Sequence, residues 1–210
     1  KGTRALADTF AGDVLYEGGE QAALAMPTFL GNHDMGRFST LVRKDMPSVT
    51  EAELEARVRL AHVMLLTLRG SPVIYYGDEQ GFVGDGNDMD AREDMFPSRT
   101  ASYLDNPLLD ATRPAAADHF DPAHPLYRMI RELAALRAAH PALARGRQVV
   151  RGYAEKPGLF SVSRFDPATG AEYLIAFNTS NAPVQAATVV GTSAETLETL
   201  FGTCPARVSA

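Results

Sequence analysis

Apolar and polar positions fall into two rhythms along the chain. From Thr50 to about Gly70, apolar residues recur at Leu54, Val58, Ala61, Leu65 and Leu68, the spacing of one helix face. Thr50 followed by Glu53 reads as the capping box that starts this helix. Directly after Gly70, Pro72-Val73-Ile74-Tyr75-Tyr76 is a continuous apolar run closed by Gly77-Asp78-Glu79, which suits a parallel strand covered on both faces. Upstream, Pro27 sets up a strand at 28–31 that ends in three adjacent polar residues, Asn32, His33 and Asp34. Strand, helix, strand predicts a βαβ unit, and a right-handed crossover places Asn32 to Asp34 and Asp78 to Glu79 on one rim. A second helix is marked by Leu126, Met129, Ile130, Leu133 and Leu136 and stopped by Pro141, and helical pieces joined at Gly18-Gly19 fit residues 4–25. Between them, Gly81 to Asp121 is rich in Asp, Asn, Gly and Pro and reads as one long rim loop. From about Gly146 the pattern changes to short strands at 148–153, 159–165, 173–178 and 184–190, with a hairpin connection at Asp166-Pro167-Ala168-Thr169-Gly170.

Composition narrows the function classes. The 210 residues are 45% apolar, enough to bury a sizeable core in one or two domains. The net charge of -6 carries no long single-sign run, which argues against nucleic acid or an anionic membrane as partner and favours a neutral substrate. One cysteine, Cys204, excludes an internal disulfide and any cysteine-based metal site. No run is apolar enough to span a bilayer and no signal peptide is visible. Position 1 is Lys rather than Met and opens inside structure-forming material, so a natural N-terminus further upstream is expected.

Chemistry concentrates in Met26 to Phe38, where a strand end delivers Asn32, His33 and Asp34 to a rim. Asn and Asp also form turns and cap helices, so the residues by themselves leave a structural role open. Asp34 with Glu79 is compatible with an acid and base pair across the rim. Asp85, Asn87, Asp88 and Asp90 carry oxygen donors suited to calcium, but their spacing departs from an EF-hand loop and favours turn hydrogen bonds. Asn178-Thr179-Ser180 matches a glycosylation pattern and reads more simply as a turn.

Thr28-Phe29-Leu30-Gly31-Asn32-His33-Asp34 resembles the segment after the seventh barrel strand of the α-amylase superfamily of glycoside hydrolases. Gly70 to Glu79 resembles that family's eighth strand, and Asp85 to Arg92 is similar to the Asp and Arg segment that follows it. The resemblance implies an α/β fold, the C-terminal part of a (β/α)8 barrel comprising about two βα units over 1–144, followed by a small antiparallel β-sandwich domain over 145–210. It implies that Asp34 is the carboxylate that stabilises the transition state and that His33 bonds the sugar, with Asn32 and Arg37 as further substrate-binding candidates. The family's nucleophilic aspartate and proton-donating glutamate follow strands four and five, so Asp78 and Glu79 fall to rim structure, and Tyr75 and Tyr76 to the barrel wall. No segment here resembles those two motifs, and a complete barrel needs about 250 residues. The chain is therefore expected to be the C-terminal fragment of a retaining hydrolase of α-glucans, inactive alone, whose partners are an oligosaccharide substrate and the missing N-terminal barrel half. No cofactor or metal is expected in this fragment, with calcium left to the full-length enzyme. The family points to secretion or the periplasm. A transglycosylase of the same superfamily and a catalytically silent, sugar- or protein-binding barrel are the alternatives.

Overall fold

In a computed structural model the chain is described for residues 2–110, 113–191 and 196–203; Cys204 lies outside them. It forms two compact units, one of Ala25–Ala135 and one of Lys1–Leu24 with Leu136–Ala210.

The first unit carries the expected βαβ arrangement in shortened form. Strand β1 (Pro27–Thr28) pairs in parallel with β2 (Ser71–Pro72), Pro27 opposite Ser71 and Thr28 opposite Pro72. The ladder is two residues long, whereas the sequence pattern extended the strands through Leu30 and Tyr76. Both runs leave the ladder early for the same reason: a local turn takes over the backbone. Asn32 and Gly36 exchange amide bonds of 3.2 Å, and the amide of Asp78 folds back on the Tyr75 carbonyl at 3.1 Å.

Two helices connect the strands. The helix Glu51–Thr67 begins where the capping box predicts, its Glu53 amide donating to Thr50 Oγ1 at 3.2 Å. Leu54, Val58, Ala61 and Leu65 are buried as their spacing requires, and His62, Leu66 and Thr67 widen the buried face toward its C-terminal end. Ahead of it, Phe38–Asp45 is a helix not expected from the pattern, although Phe38 and Val42 lie one turn apart. The core gathers Leu54 and Val58 of the helix Glu51–Thr67, Val83 and Leu109 of the long loop, and Leu126, with Phe38, Val42, Val49 and Met129 packed against it. Leu126 and Met129 belong to the helix expected between the loop and Pro141, observed as Pro125–Ala139. The loop thus supplies two of the five buried core residues, which anchors a stretch without long elements; a 3-10 turn at Asp78–Gln80 leads into it and two more, Asp88–Ala91 and Ala101–Tyr103, punctuate it.

The second unit is a three-stranded antiparallel sheet, Arg147–Gly152, Leu159–Phe165 and Glu172–Asn178, in sequence order. The central strand buries Phe160, Ser161, Val162, Ser163 and Arg164, and Phe160 stacks between Phe10 of the N-terminal helix Arg4–Ala11 and Phe177. The Asp166 to Gly170 connection closes as expected, with Asp166 Oδ1 accepting from the amides of Ala168 and Thr169 at 2.9 Å. The fourth expected strand, 184–190, carries no ladder. Its alternating pattern has no face to bury: Val184 and Val189 are 44% and 79% exposed. Asn178 is occupied in a local turn, its amide donating to the Ala182 carbonyl at 2.7 Å.

Candidate active site

The candidate site is built by one tight turn. Asn32 Oδ1 accepts from the amides of Asp34 and Met35, both at 2.9 Å, which folds the backbone over so that His33 and Asp34 point outward. Gly36 closes the turn at φ +88°, a conformation glycine adopts without strain. A β-carbon there would also meet the Gly86 carbonyl oxygen at 2.5 Å, so the turn lies directly on the backbone of the loop that follows β2. The Asn32 carbonyl oxygen is spent on the turn, and its part is to shape the site.

His33 and Asp34 form an exposed pair, Nε2 to Oδ1 at 3.3 Å, with side chains 59% and 72% exposed. Arg92 approaches from the following loop, its Nη2 3.9 Å from Asp34 Oδ1 and in close ion-pair contact with Asp88. The backbone of the two segments is joined as well, the Asp88 amide donating to the Asp34 carbonyl at 3.3 Å. A carboxylate, an imidazole and a guanidinium therefore share one accessible face, a set suited to gripping hydroxyls and stabilising a developing positive charge.

Beneath this face lies the feature that sequence reasoning placed differently. Arg37 was a candidate for the substrate, but its side chain has no exposure. Its Nε donates to Glu93 Oε2 at 2.8 Å, Nη1 to Asp78 Oδ1 at 2.8 Å and to the Tyr76 carbonyl at 3.0 Å, and Nη2 to the Ala91 carbonyl at 3.2 Å. The rings of Tyr75 and Phe82 sit 4.7 and 5.0 Å from its guanidinium carbon. The fork geometry that fits a sugar or phosphate is here saturated by protein acceptors. The structure gives Arg37 to the two buried carboxylates, and the expectation of a substrate contact is corrected to a structural one.

Asp78 and Glu79 join the frame. Glu79 Oε2 folds back to accept the Gly77 amide at 2.9 Å, and burial holds its carboxyl above the ordinary value, the charge of Asp78 adding to the effect. Burial, reinforced by Glu93 and opposed by Arg37, pushes the Asp78 carboxyl up to about 6. A raised folded-state value contributes stability that is fully present below the ordinary 3.8 and is lost as pH rises through about 6. Thermal midpoints taken at intervals from pH 4 to 7 should show part of this fall in the wild type, and Asp78→Asn should flatten it; an unchanged slope in the variant would refute the assignment.

The acidic run Asp85 to Asp90 does not converge. Among the described residues no group of three or more His, Cys, Asp or Glu side chains is placed to hold a metal ion. Asp88 instead pairs with Arg92, and the Asp90 amide bonds the Asn87 carbonyl at 3.3 Å. Among the described residues no helix is long and apolar enough to cross a membrane. Glu93 and the Tyr75 hydroxyl, which donates to the Ala91 carbonyl at 3.0 Å, were not singled out from sequence. Nothing local marks them: Glu93 lies in an exposed-looking Ala-Arg-Glu-Asp string and becomes buried through a partner 56 residues away.

Comparison with known proteins gives the site its context. Residues 16–146 match the family model described as alpha amylase, catalytic domain. An alpha-amylase of Streptomyces lividans is 47% identical over 95% of this chain and 22% of its own length. A cyclomaltodextrin glucanotransferase of Paenibacillus macerans is 33% identical over 58% of this chain and 12% of its own. Among solved structures, the debranching enzyme of Nostoc punctiforme, soaked with acarbose, superposes with a TM-score of 0.62 at 25% identity, covering 95% of this chain and 34% of that one. The chain thus spans between about a tenth and a third of these three proteins. With more than half of its length inside the catalytic-domain family and nearly all of it aligned to one amylase, the chain belongs to the α-amylase family of glycoside hydrolases.

Proposed function

We propose that this chain is the C-terminal part of a retaining glycoside hydrolase that cleaves α-1,4-glucosidic bonds of starch and maltooligosaccharides. The observation that carries the reading is the exposed His33–Asp34 pair, held outward by the Asn32 turn, within a segment matching the amylase catalytic domain. Asp34 stabilises the positive charge that develops at the anomeric carbon, and His33 donates to a sugar hydroxyl. The nucleophile and the acid/base are assigned to segments N-terminal to this chain. In the complete enzyme a carboxylate attacks the anomeric carbon while a carboxylic acid protonates the departing oxygen. Water, deprotonated by the same group, then releases the sugar with its configuration retained.

Residues 1–144 are assigned to the barrel and 145–210 to the C-terminal β domain, a division supported by the end of the family match at residue 146. The remainder of the barrel is the partner this stretch requires. The reaction as drawn asks no cofactor of it, and calcium of the complete enzyme is placed elsewhere. A second reading, transglycosylation, is favoured by the Paenibacillus macerans relative and differs in the acceptor: a sugar hydroxyl takes the place of water.

Assaying soluble starch with the complete protein and with residues 1–210 alone tests the assignment. Reducing ends should accumulate with the complete protein, initially as the α-anomer, and the isolated chain should release none. Turnover by the isolated chain that Glu79→Gln abolishes would replace this reading with a local acid and base pair.

A further inference from the structure

We propose that Glu93 is a positioning residue for the reaction: through Arg37 it clamps the loop 84–92 against the turn that carries Asp34. The inference rests on the reading of Asp34 above and concerns what holds that carboxylate in place.

Asp34 is poorly fixed by its own side chain. Among the described residues, its carboxylate contacts are His33 at 3.3 Å and Arg92 at 3.9 Å, both solvent-exposed and screened. Its position is therefore set by backbone, and the backbone of the turn rests on the loop after β2. That support is observed twice, in the Asp88 amide bond to the Asp34 carbonyl and in the contact of Gly36 with Gly86 and Asn87.

The loop has no strand or α-helix of its own over 84–92, so something must hold it. Two polar contacts converge on the Ala91 carbonyl, at the end of the 3-10 turn Asp88–Ala91: Arg37 Nη2 at 3.2 Å and the Tyr75 hydroxyl at 3.0 Å. Arg37 can make this bond only if its plane is fixed. Asp78 and the Tyr76 carbonyl engage one end of the guanidinium, and Glu93 engages the other at Nε. Glu93 is 5% exposed, and its second oxygen, Oε1, has no hydrogen-bond partner among the described residues. A buried carboxylate with half of its bonding capacity unused costs stability, which the single charge-assisted bond to Arg37 offsets in part. Glu93 also lies beside the start of the loop, its Oε1 3.4 Å from where a β-carbon on Gly84 would be, which is proximity without a bond. Through Arg37, Glu93 thus ties the end of the segment 84–92 at Ala91 to the residue three places after Asp34.

The test uses the complete protein, with soluble starch as substrate. Glu93→Gln keeps an acceptor for Arg37 but removes the charge that strengthens the bond at Nε, so that end of the guanidinium is held less firmly. A displacement of the order of 1 Å at Asp34 lowers kcat by about 10- to 100-fold, with KM within about twofold, because the lost interaction belongs to the transition state. In an Asp34→Asn background, Glu93→Gln should lower the residual kcat no further, since the residue it positions is already gone. A variant with wild-type kcat and only a lower melting temperature, or one that raises KM alone, overturns the proposal. A further full loss in the Asp34→Asn background overturns it too. If Glu93→Gln gives no soluble protein, Tyr75→Phe carries the test by removing the other bond to Ala91: a several-fold fall in kcat supports the clamp and an unchanged kcat overturns it. Near-wild-type activity of Asp34→Asn by itself would instead defeat the functional reading on which the clamp depends.

Discussion

Asp34→Asn in the complete protein should lower kcat by about a thousandfold or more, equivalent to ~4 kcal/mol of lost transition-state stabilisation. Asn has the same shape, so the loss isolates the charge. A neutral amide still bonds a sugar hydroxyl, and KM should therefore move little. Folding should be unaffected, because the side chain is 72% exposed and the turn is held by Asn32 rather than by Asp34. A surface change of this kind alters stability by no more than about 0.5 kcal/mol. Starch-release kinetics beside a thermal melt of the same preparation give both quantities. If kcat stays within tenfold of wild type, Asp34 is a turn residue and the site lies elsewhere.

Arg37→Met should have the largest effect on stability. The substitution fills much of the volume but strips the cation from between two buried carboxylates, Asp78 at 8% and Glu93 at 5% exposure. Leaving buried charge uncompensated in this way costs ~3–5 kcal/mol. The cost should depend on pH with a definite sign. Arg37 lowers the Asp78 carboxyl, so its removal raises that group above about 6. Protonation then relieves the repulsion with Glu93, and the variant should lie closer to the wild type at pH 5 than at pH 8. Urea unfolding at those two pH values checks both claims; a loss below about 1 kcal/mol, or one that does not vary with pH, would show that the network contributes little.

The parts of this molecule legible in its sequence are those in which a local pattern and a tertiary need coincide. The capping box at Thr50 and the stripe from Leu54 to Leu65 predict the helix Glu51–Thr67 because a helix that buries one face must repeat at its own period. Strand Leu159–Phe165 has the bounds its pattern predicts, since the apolar alternation sets its length and the hairpin turn ends it. The parallel strands are shorter than their apolar runs predict because tight turns, rather than the strands' apolar content, end the ladder at Thr28 and Pro72. The same limit applies at the site. The outward turn of His33 and Asp34 follows from Asn32, two residues away, whereas the burial of Arg37 depends on Glu93, 56 residues away. An arginine next to exposed polar residues is ordinarily solvated, and nothing within reach of its neighbours in sequence says otherwise.

The contact at Gly36 has a consequence for anyone exchanging loops among these enzymes. The turn 32–37 and the segment 84–93 share a backbone surface with no room for a methyl group, and their anchoring charges are divided between them. They are therefore one inheritable unit written in two places. A graft that imports a relative's 84–93 should bring that relative's 32–37 with it, because either piece alone arrives without the surface it was cut to match.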